Sequence, residues 1–152
     1  MKYEVVIGLE THAELDTESK IFCGCSTKFG SEPNTQTCPV CLGLPGALPV
    51  MNKQAFGYSL KAAVTLSCEI NQFTNFDRKS YYYPDLPKNY QTSQNYFNIG
   101  NNGYVDIVVN GEEKRINIHN VHLEEEAGKL IHPEASGANY SLVDFNRAGV
   151  PL

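Results

Sequence analysis

The clearest alternation of apolar and polar positions lies near the start of the chain. Between residues 3 and 14, alternate positions are apolar: Tyr3, Val5, Ile7 and Leu9. Because successive side chains of a strand point to opposite faces, this pattern predicts a strand with one face towards a core. The opposite face becomes polar at its end, where Glu10 and His12 point the same way, about 7 Å apart. The segment therefore predicts a strand that presents two polar groups.

A helical pattern follows in the middle of the chain. Asn52 is a suitable N-cap for a helix over about residues 53–67. Its expected buried stripe consists of Phe56, Leu60, Ala63, Val64 and Ser67. A stripe of this width is typical of a helix that packs on a core with one face.

A hairpin is predicted further along, where residues 104–109 and 114–121 flank Asn110-Gly111, a dipeptide typical of two-residue hairpin turns. Between helix and hairpin lies a tyrosine-rich segment, residues 81–90. Its prolines, Pro84 and Pro87, exclude a helix or a central strand there. Together these elements predict an α+β fold with a mixed or antiparallel sheet and packed helices.

Length and charge limit the possible functions. The chain has 152 residues and a formal net charge of -5, which suits one domain with a small insert. No basic run is present, so a nucleic acid backbone would have to be held mainly by another domain or subunit. No segment approaches the ~18 consecutive apolar residues of a membrane span.

Four cysteines lie close together in the sequence as two pairs, Cys23 with Cys25 and Cys38 with Cys41. Two close pairs separated by a short polar loop are typical of a tetrahedral thiolate site for zinc. We therefore predict a structural Zn2+ knuckle over residues 20–44, in a reducing, cytoplasmic setting. The alternative, two disulfides in a secreted domain, requires an export signal, and the first residues show no charged region, apolar region or cleavage site.

Acidic residues follow the second strand of the predicted hairpin. Glu124, Glu125 and Glu126 are adjacent, and alternation places Glu124 and Glu125 on opposite faces. Paired in space with Glu10 and His12, these carboxylates would form a site for Mg2+, which binds oxygen ligands and bridges them to phosphates. Imidazole suits Mn2+ or Zn2+ better. Alternation alone does not rank Glu124 against Glu125, and a solvated acidic turn is the alternative interpretation.

Common nucleotide and hydrolase motifs are absent from the sequence. Gly128-Lys129 lacks the upstream glycine of a P-loop, and no G-x-G-x-x-G occurs. If the chain uses ATP, it does so through metal-bound phosphates rather than a glycine-rich loop. The segment with Asp85 and Lys88 is either a surface loop fixed by tyrosine packing or a rim over the cation site, with Lys88 near an anionic substrate.

Taken together, several segments resemble one protein family and occur in the same order. They are YEVVIGLETH at 3–12, FDRK at 76–79, YYPDLPK at 82–88, NGY at 102–104, HLEEEAGK at 122–129 and YSLVDFNR at 140–147. The chain resembles the B subunit of the aspartyl/glutamyl-tRNA(Asn/Gln) amidotransferase from end to end. The four cysteines are similar to a zinc knuckle that many members of this family carry.

The resemblance implies a function that composition does not provide. Members correct tRNA charged with aspartate or glutamate in place of asparagine or glutamine. They phosphorylate the tRNA-linked carboxylate with ATP, and ammonia from a separate amidase then displaces phosphate. The resemblance also implies a catalytic fold similar to glutamine synthetase and guanidino kinases. Its implied partners are the amidase (the A subunit), the small C subunit, and misacylated tRNA as substrate.

Site residues follow from the same resemblance, by position. The metal-binding and catalytic set would be Glu10, His12, Glu124 and Glu125. Candidates for substrate contact are Lys88, His122, Asn146 and Arg147. Family members are about three times as long, so we expect residues 1–152 to be the N-terminal part of the catalytic domain, inactive alone and without the tRNA-binding domains. The alternative function is a non-catalytic zinc-binding interaction module.

Overall fold

Seven strands and one helix make up the computed structural model, which describes residues 2–133 and 137–152. The elements are α1 (Lys53–Thr65), β1 (Glu69–Ile70), β2 (Asp77–Ser80), β3 (Tyr90–Ser93), β4 (Gly100–Val109), β5 (Glu112–Val121), β6 (Lys129–Ile131) and β7 (Leu142–Asp144). They form an antiparallel sheet of order β1-β4-β5 and the antiparallel pairs β2-β3 and β6-β7. The α+β class with antiparallel sheets is thus confirmed for the described residues, which contain one helix rather than several packed helices.

The predicted hairpin is the longest regular structure of the chain. Strands β4 and β5 pair from Gly100 opposite Val121 to Val109 opposite Glu112. Asn110 and Gly111 occupy the turn with φ values of 54° and 86°. Such positive values at both central residues are typical of the primed turns that match strand twist. The hairpin prediction is therefore confirmed.

The helix begins where its cap predicts. The side-chain oxygen of Asn52 accepts hydrogen bonds from the N–H groups of Gln54 at 2.8 Å and Ala55 at 3.2 Å. The expected stripe is partly wrong, because α1 ends at Thr65 and its fully buried residues are Ala55, Ser59 and Ala63. Small side chains permit close packing on the sheet, so Phe56 and Leu60 pack at the core margin while Val64 is exposed.

The core lies between α1, the three-stranded sheet and the segment that enters the cysteine loop. Its fully buried residues are Ile21, Ala63, Ile99 and Leu123. Phe22 and Phe76 close one side with an edge-to-face contact of 5.2 Å between ring centroids. Leu123 directly precedes the acidic run, so burial of this side chain fixes the backbone position of Glu124.

The predicted strand over residues 3–14 is wrong for this structure. Residues 2–17 have no strand, and the side chains of Val5, Ile7 and Leu9 are 80–90% exposed. A strand requires a neighbour that completes its backbone hydrogen bonds. The ladders of the described residues include no part of this segment. Alternation of apolar and polar positions was therefore not sufficient for a strand.

The last residues of the chain bring distant segments together. Glu124 and Leu152 exchange two backbone hydrogen bonds, of 3.0 and 2.8 Å, and the N–H of Glu126 donates to the carbonyl of Val150 at 2.8 Å. On the other side, the N–H of Leu15 donates to the carbonyl of Pro151 at 2.9 Å. The end of the chain thus holds the acidic run beside the segment that follows His12.

The described part of the chain contains one helix, α1. Within residues 2–133 and 137–152, no helix combines the length and apolar character that crossing a bilayer requires.

Candidate metal and carboxylate sites

The four predicted zinc ligands converge in space. The sulfurs of Cys23, Cys25, Cys38 and Cys41 all lie within 4.8 Å of one another. The Cys38 and Cys41 sulfurs are 3.9 Å apart. A tetrahedral zinc with Zn–S bonds of about 2.3 Å separates its sulfurs by about 3.8 Å. All five cysteines of the chain are free, so the disulfide alternative is wrong for this structure. The cluster, named the four-cysteine cluster below, could hold a metal ion.

Local turns position these sulfurs. The N–H of Cys38 donates to the sulfur of Cys41 at 3.2 Å, and the N–H of Leu42 donates to the carbonyl of Cys38 at 3.1 Å. Gly43 continues the turn with φ +68, in the left-handed region. These contacts hold Cys38 and Cys41 in one turn.

Charge within the four-cysteine cluster favours one thiolate. Hydrogen bonding from Cys23 is the main cause that lowers the pKa of Cys41 to about 4, and the buried ammonium of Lys20 contributes. The same hydrogen bond and burial raise the pKa of Cys23. Burial, together with the hydrogen bond to Cys38, raises the pKa of Cys25 to about 11. Lys20 Nζ lies 3.6 Å from the Cys41 sulfur and 3.1 Å from the Phe145 carbonyl.

The loop between the cysteine pairs is attached to the end of β7. Asn34 donates to the carbonyl of Val143 at 2.9 Å and accepts from the N–H of Phe145 at 2.8 Å. Asn146 accepts from the N–H of Gln36 at 2.8 Å. It also donates to a loop carbonyl at 2.8 Å. Asn146 was a candidate for substrate contact, and its amide is occupied here by this attachment.

A second group of polar side chains lies at the predicted carboxylate site. His12 Nε2 is 3.5 Å from Glu10 Oε1 and 3.4 Å from Glu124 Oε1. His122 Nε2 lies 3.6 Å from Glu124 Oε2, and Ser93 donates to the same oxygen at 3.1 Å. We name Glu10, His12, His122 and Glu124 the carboxylate site. It joins residues more than a hundred positions apart.

Glu124 is the central member of the carboxylate site. Its side chain is 10% exposed, whereas the Glu10 side chain is 76% exposed. The hydrogen bond from His122 lowers the pKa of Glu124, with further contributions from Ser93 and His12, against the opposing effect of burial. Glu124 is therefore ionised near neutral pH, which is the state that binds a cation.

Glu125 points elsewhere and has different partners. Its Oε1 accepts from the ammonium of Lys88 and, at 2.8 Å, from the N–H of Thr92. This ion pair is buried, with side chains 10% and 4% exposed for Lys88 and Glu125. Extended backbone at the acidic run separates the two carboxylates onto opposite faces.

The carboxylate site is looser than the four-cysteine cluster. Among the described residues, only the cysteines form a group of three or more potential ligands whose ligand atoms all lie within 4.8 Å of one another. His12 lies between Glu10 and Glu124, and the Glu10 side chain is largely exposed.

Two other polar side chains border these sites. The guanidinium of Arg147, a candidate for substrate contact, donates to the carbonyls of Ala127 at 3.1 Å and Gly128 at 3.0 Å. Tyr81 lies close to the acidic run, and burial chiefly, followed by nearby carboxylates, raises its pKa. Neither Tyr81 nor Ser93 was predicted from the sequence, because a tyrosine in a polar loop and a lone serine carry no signal of their long-range partners.

Known proteins are similar in sequence to this chain over nearly its whole length. The family model described as the GatB/GatE catalytic domain matches residues 5–152. The B subunit of the aspartyl/glutamyl-tRNA(Asn/Gln) amidotransferase from Caldanaerobacter subterraneus is 63% identical over 152 residues, and its namesake from Brevibacillus brevis is 65% identical over 151 residues. These matches cover 100% and 99% of this chain but 31% of each relative. The chain therefore belongs to the GatB/GatE catalytic domain family.

Proposed function

We propose that this chain forms part of the ATP-dependent site of a tRNA-dependent amidotransferase. In this proposal the complete protein phosphorylates the side-chain carboxylate of aspartate or glutamate on misacylated tRNA with ATP. Ammonia released from glutamine then displaces phosphate and leaves the amide. Membership of the family and the names of the relatives support this assignment. Such an enzyme is a ligase that acts in cytoplasmic protein synthesis.

The observation that carries the proposal is the convergence of Glu10, His12 and Glu124 from the two ends of the described chain. Carboxylates gathered at one place repel each other, so their proximity favours a cation as partner. Carboxylate oxygens suit Mg2+, and the histidines also permit Mn2+. We propose that Glu10, His12 and Glu124 hold Mg2+, whereas Glu125, which points to the opposite face, binds Lys88.

In the proposed chemistry the cation and the protein side chains have different roles. Glu10, His12 and Glu124 would hold a divalent cation, which would supply positive charge to offset that of ATP phosphates. Glu124 stays ionised because His122 and Ser93 stabilise its charge. We propose that His122, and Lys88 after release from Glu125, approach the anionic substrate. Ammonia attack also requires the site to exclude water, which would hydrolyse the acyl phosphate.

We propose a structural role for zinc at the four-cysteine cluster. The spacing of the sulfurs fits a tetrahedral site, and the ammonium of Lys20 offsets part of the negative charge that four thiolates would carry. Closed sites of four cysteines are structural, because they leave no position for substrate.

The proposal extends to partners and to the rest of the protein. We propose that residues 1–152 form the N-terminal part of a catalytic domain similar to the glutamine synthetase and guanidino kinase fold. The amidase and the small third subunit would complete a heterotrimer. The net charge of -5 supports tRNA contacts located mainly outside this chain.

The test is Glu124→Gln in a polypeptide of the relatives' length that contains this chain, assembled with its partner subunits. Glutamine keeps the shape of the side chain but removes its charge. We expect tRNA-dependent ATP cleavage to fall about a hundredfold or more, while assembly, measured by size-exclusion chromatography, is unchanged. Glu113→Gln, on the exposed part of β5, is the matched control and should retain activity.

One observation favours the alternative of a non-catalytic zinc-binding module. The four-cysteine cluster is closed, whereas Glu10 of the carboxylate site is largely exposed. Equal ATP cleavage by Glu124→Gln and Glu113→Gln would contradict the catalytic proposal and support the module.

A further inference from the structure

We propose that the turn of the four-cysteine cluster positions Lys88 on Glu125 and thereby connects the cluster with the carboxylate site. Gly43 and Lys88 are then positioning residues. This inference rests on the proposed function only for the identity of the ions at the two sites. The contacts that support it, of Gly43 with Lys88 and of Lys88 with Glu125, are between protein atoms.

The first contact is between the cysteine turn and the aliphatic part of Lys88. The N–H of Gly43 donates to the carbonyl of Val40 at 3.0 Å, which closes the turn directly after Cys41. A Cβ atom at Gly43 would overlap Cγ of Lys88 and lie 3.1 Å from its Cβ. The lysine therefore lies against the turn backbone at a distance that any larger side chain would prevent.

The second contact is at the other end of the same side chain. The ammonium of Lys88 binds Glu125 Oε1, and it also lies 5.2 Å from the ring centroid of Tyr90. A buried carboxylate without a counter-charge is strongly unfavourable. The position of the Lys88 side chain therefore determines the net charge beside Glu124, the central residue of the carboxylate site.

A parallel connection runs through Lys20. This fully buried side chain contacts the Cys41 sulfur and the Phe145 carbonyl. Its aliphatic part also packs near Gly149, whose N–H donates to the carbonyl of Glu126 at 2.8 Å. The backbone that follows Glu125 is thus attached to the same cluster.

These contacts imply a physical coupling. A metal bound to four sulfurs restricts the turn that carries Cys38 and Cys41. Release of the metal allows the turn to open, which removes the surface at Gly43 on which Lys88 lies. Lys88 then leaves Glu125 and becomes exposed to water.

The experiment measures access to Lys88 in the polypeptide of the relatives' length. An amine-reactive ester labels lysines briefly at fixed pH, and peptide mass spectrometry gives the rate at Lys88 relative to exposed Lys61. In Gly43→Ala we expect labelling of Lys88 to rise about tenfold, since its side chain is 10% exposed when bound. Chelation of the metal from the unsubstituted protein should produce the same rise.

Gly46→Ala is the matched control. Gly46 has φ +83, so alanine there carries a similar backbone strain, yet a Cβ would meet nothing within 4 Å. We expect labelling of Lys88 in this variant to match the unsubstituted protein. Equal labelling of Lys88 in the two variants, or no rise after chelation of bound metal, would overturn the proposal. Chelation involves no substitution, so misfolding of Gly43→Ala does not remove the test.

Mn2+ binding, measured by electron paramagnetic resonance, is a second readout. A purely structural contact between Gly43 and Lys88 would not change it. The Lys88 ammonium repels a cation at the carboxylate site, so its displacement in Gly43→Ala should tighten Mn2+ binding several-fold, up to about tenfold. Gly46→Ala should bind as the unsubstituted protein does. Weaker or unchanged binding in Gly43→Ala would contradict the coupling. Absence of Mn2+ binding in the unsubstituted protein would instead contradict the proposed function, and the labelling comparison would still decide this inference.

Discussion

Two regions of the molecule reverse the usual relation between polarity and burial. Around the four-cysteine cluster and the acidic run, charged Lys20 and Glu125 are buried. Near the start of the chain, apolar Val5, Ile7 and Leu9 are exposed. In the first region each buried charge has a partner: Cys41 and Phe145 for Lys20, and Lys88 and Thr92 for Glu125.

The contrast shows that in these two regions burial follows the availability of partners rather than hydropathy. Charged groups tolerate burial when ion pairs and hydrogen bonds replace water. Apolar side chains gain from burial only where another apolar surface covers them. In the part of the chain that the structure describes, the acidic run has neighbours on both sides, from β3 and from the chain end.

Removal of a metal ligand from the four-cysteine cluster should have the largest effect, on metal binding and on resistance to proteolysis. Cys41→Ser replaces the buried sulfur that contacts both Lys20 and Cys38. Metal-binding free energies of small zinc peptides are about 10–16 kcal/mol, and losing one thiolate removes a large part of this. We expect loss of bound metal, measured by elemental analysis, and rapid proteolysis between residues 20 and 44.

Cys68→Ser is the control for that substitution. It also removes a thiol, but Cys68 lies outside the four-cysteine cluster and packs at the core margin. It should keep one metal per chain. Full metal content in Cys41→Ser would contradict the assignment of the cluster as a metal site.

Removal of one partner of the buried ion pair should have the next largest effect. Lys88→Met leaves Glu125 buried and without its counter-charge, which costs about 3–5 kcal/mol in unfolding free energy. Glu125→Gln in the same chain should restore much of the loss, because the uncompensated charge disappears. Denaturant unfolding of the two single variants and the double variant measures the coupling.

Lys114→Met is the matched control, since Lys114 is exposed on β5. Exposed substitutions usually change the unfolding free energy by about 0.5 kcal/mol or less. If Lys88→Met were no more destabilising than Lys114→Met, the buried pair would have no role in holding the acidic run.

Local signals made part of the molecule predictable. Asn52 caps α1, Asn110-Gly111 turns the hairpin, and the cysteine spacing indicates a thiolate cluster, because each interaction joins residues close in sequence. The short pair β2-β3 was missed. Strand β2 consists of Asp77, Arg78, Lys79 and Ser80, which show no apolar alternation, and its pairing depends on the loop that follows.

The carboxylate site was predictable only in part of its membership. The residues and the resemblance suggested Glu10, His12, Glu124 and Glu125. The first three lie close together here, beside His122, which was a candidate for substrate contact. That Glu125 instead binds Lys88 depends on the position of the cysteine turn, which no local pattern encodes. The alternation of residues 3–14 likewise predicted a strand, but a ladder depends on a neighbour that alternation does not specify.

The smallest expected effect concerns the exposed ion pair between Arg115 and Asp106 on the hairpin. Water screens these charges, whereas the Lys88–Glu125 pair is buried and is screened much less. Arg115 binds Asp106 through two hydrogen bonds, of 2.7 and 2.8 Å, and its hydrogen bonding lowers the pKa of Asp106. The stabilisation from Asp106 is therefore present above its unfolded pKa and is lost as pH falls through the lower folded pKa. Arg115→Met should raise the pKa of Asp106 towards 3.8 and so flatten the dependence of stability on acidic pH.

Carboxyl carbon NMR measures the pKa of Asp106, and high salt should reduce its shift in the unsubstituted protein. Arg115→Lys keeps the charge without the two-point geometry and should give an intermediate pKa. An Asp106 pKa unchanged in Arg115→Met would show that hairpin geometry, rather than the ion pair, sets this titration.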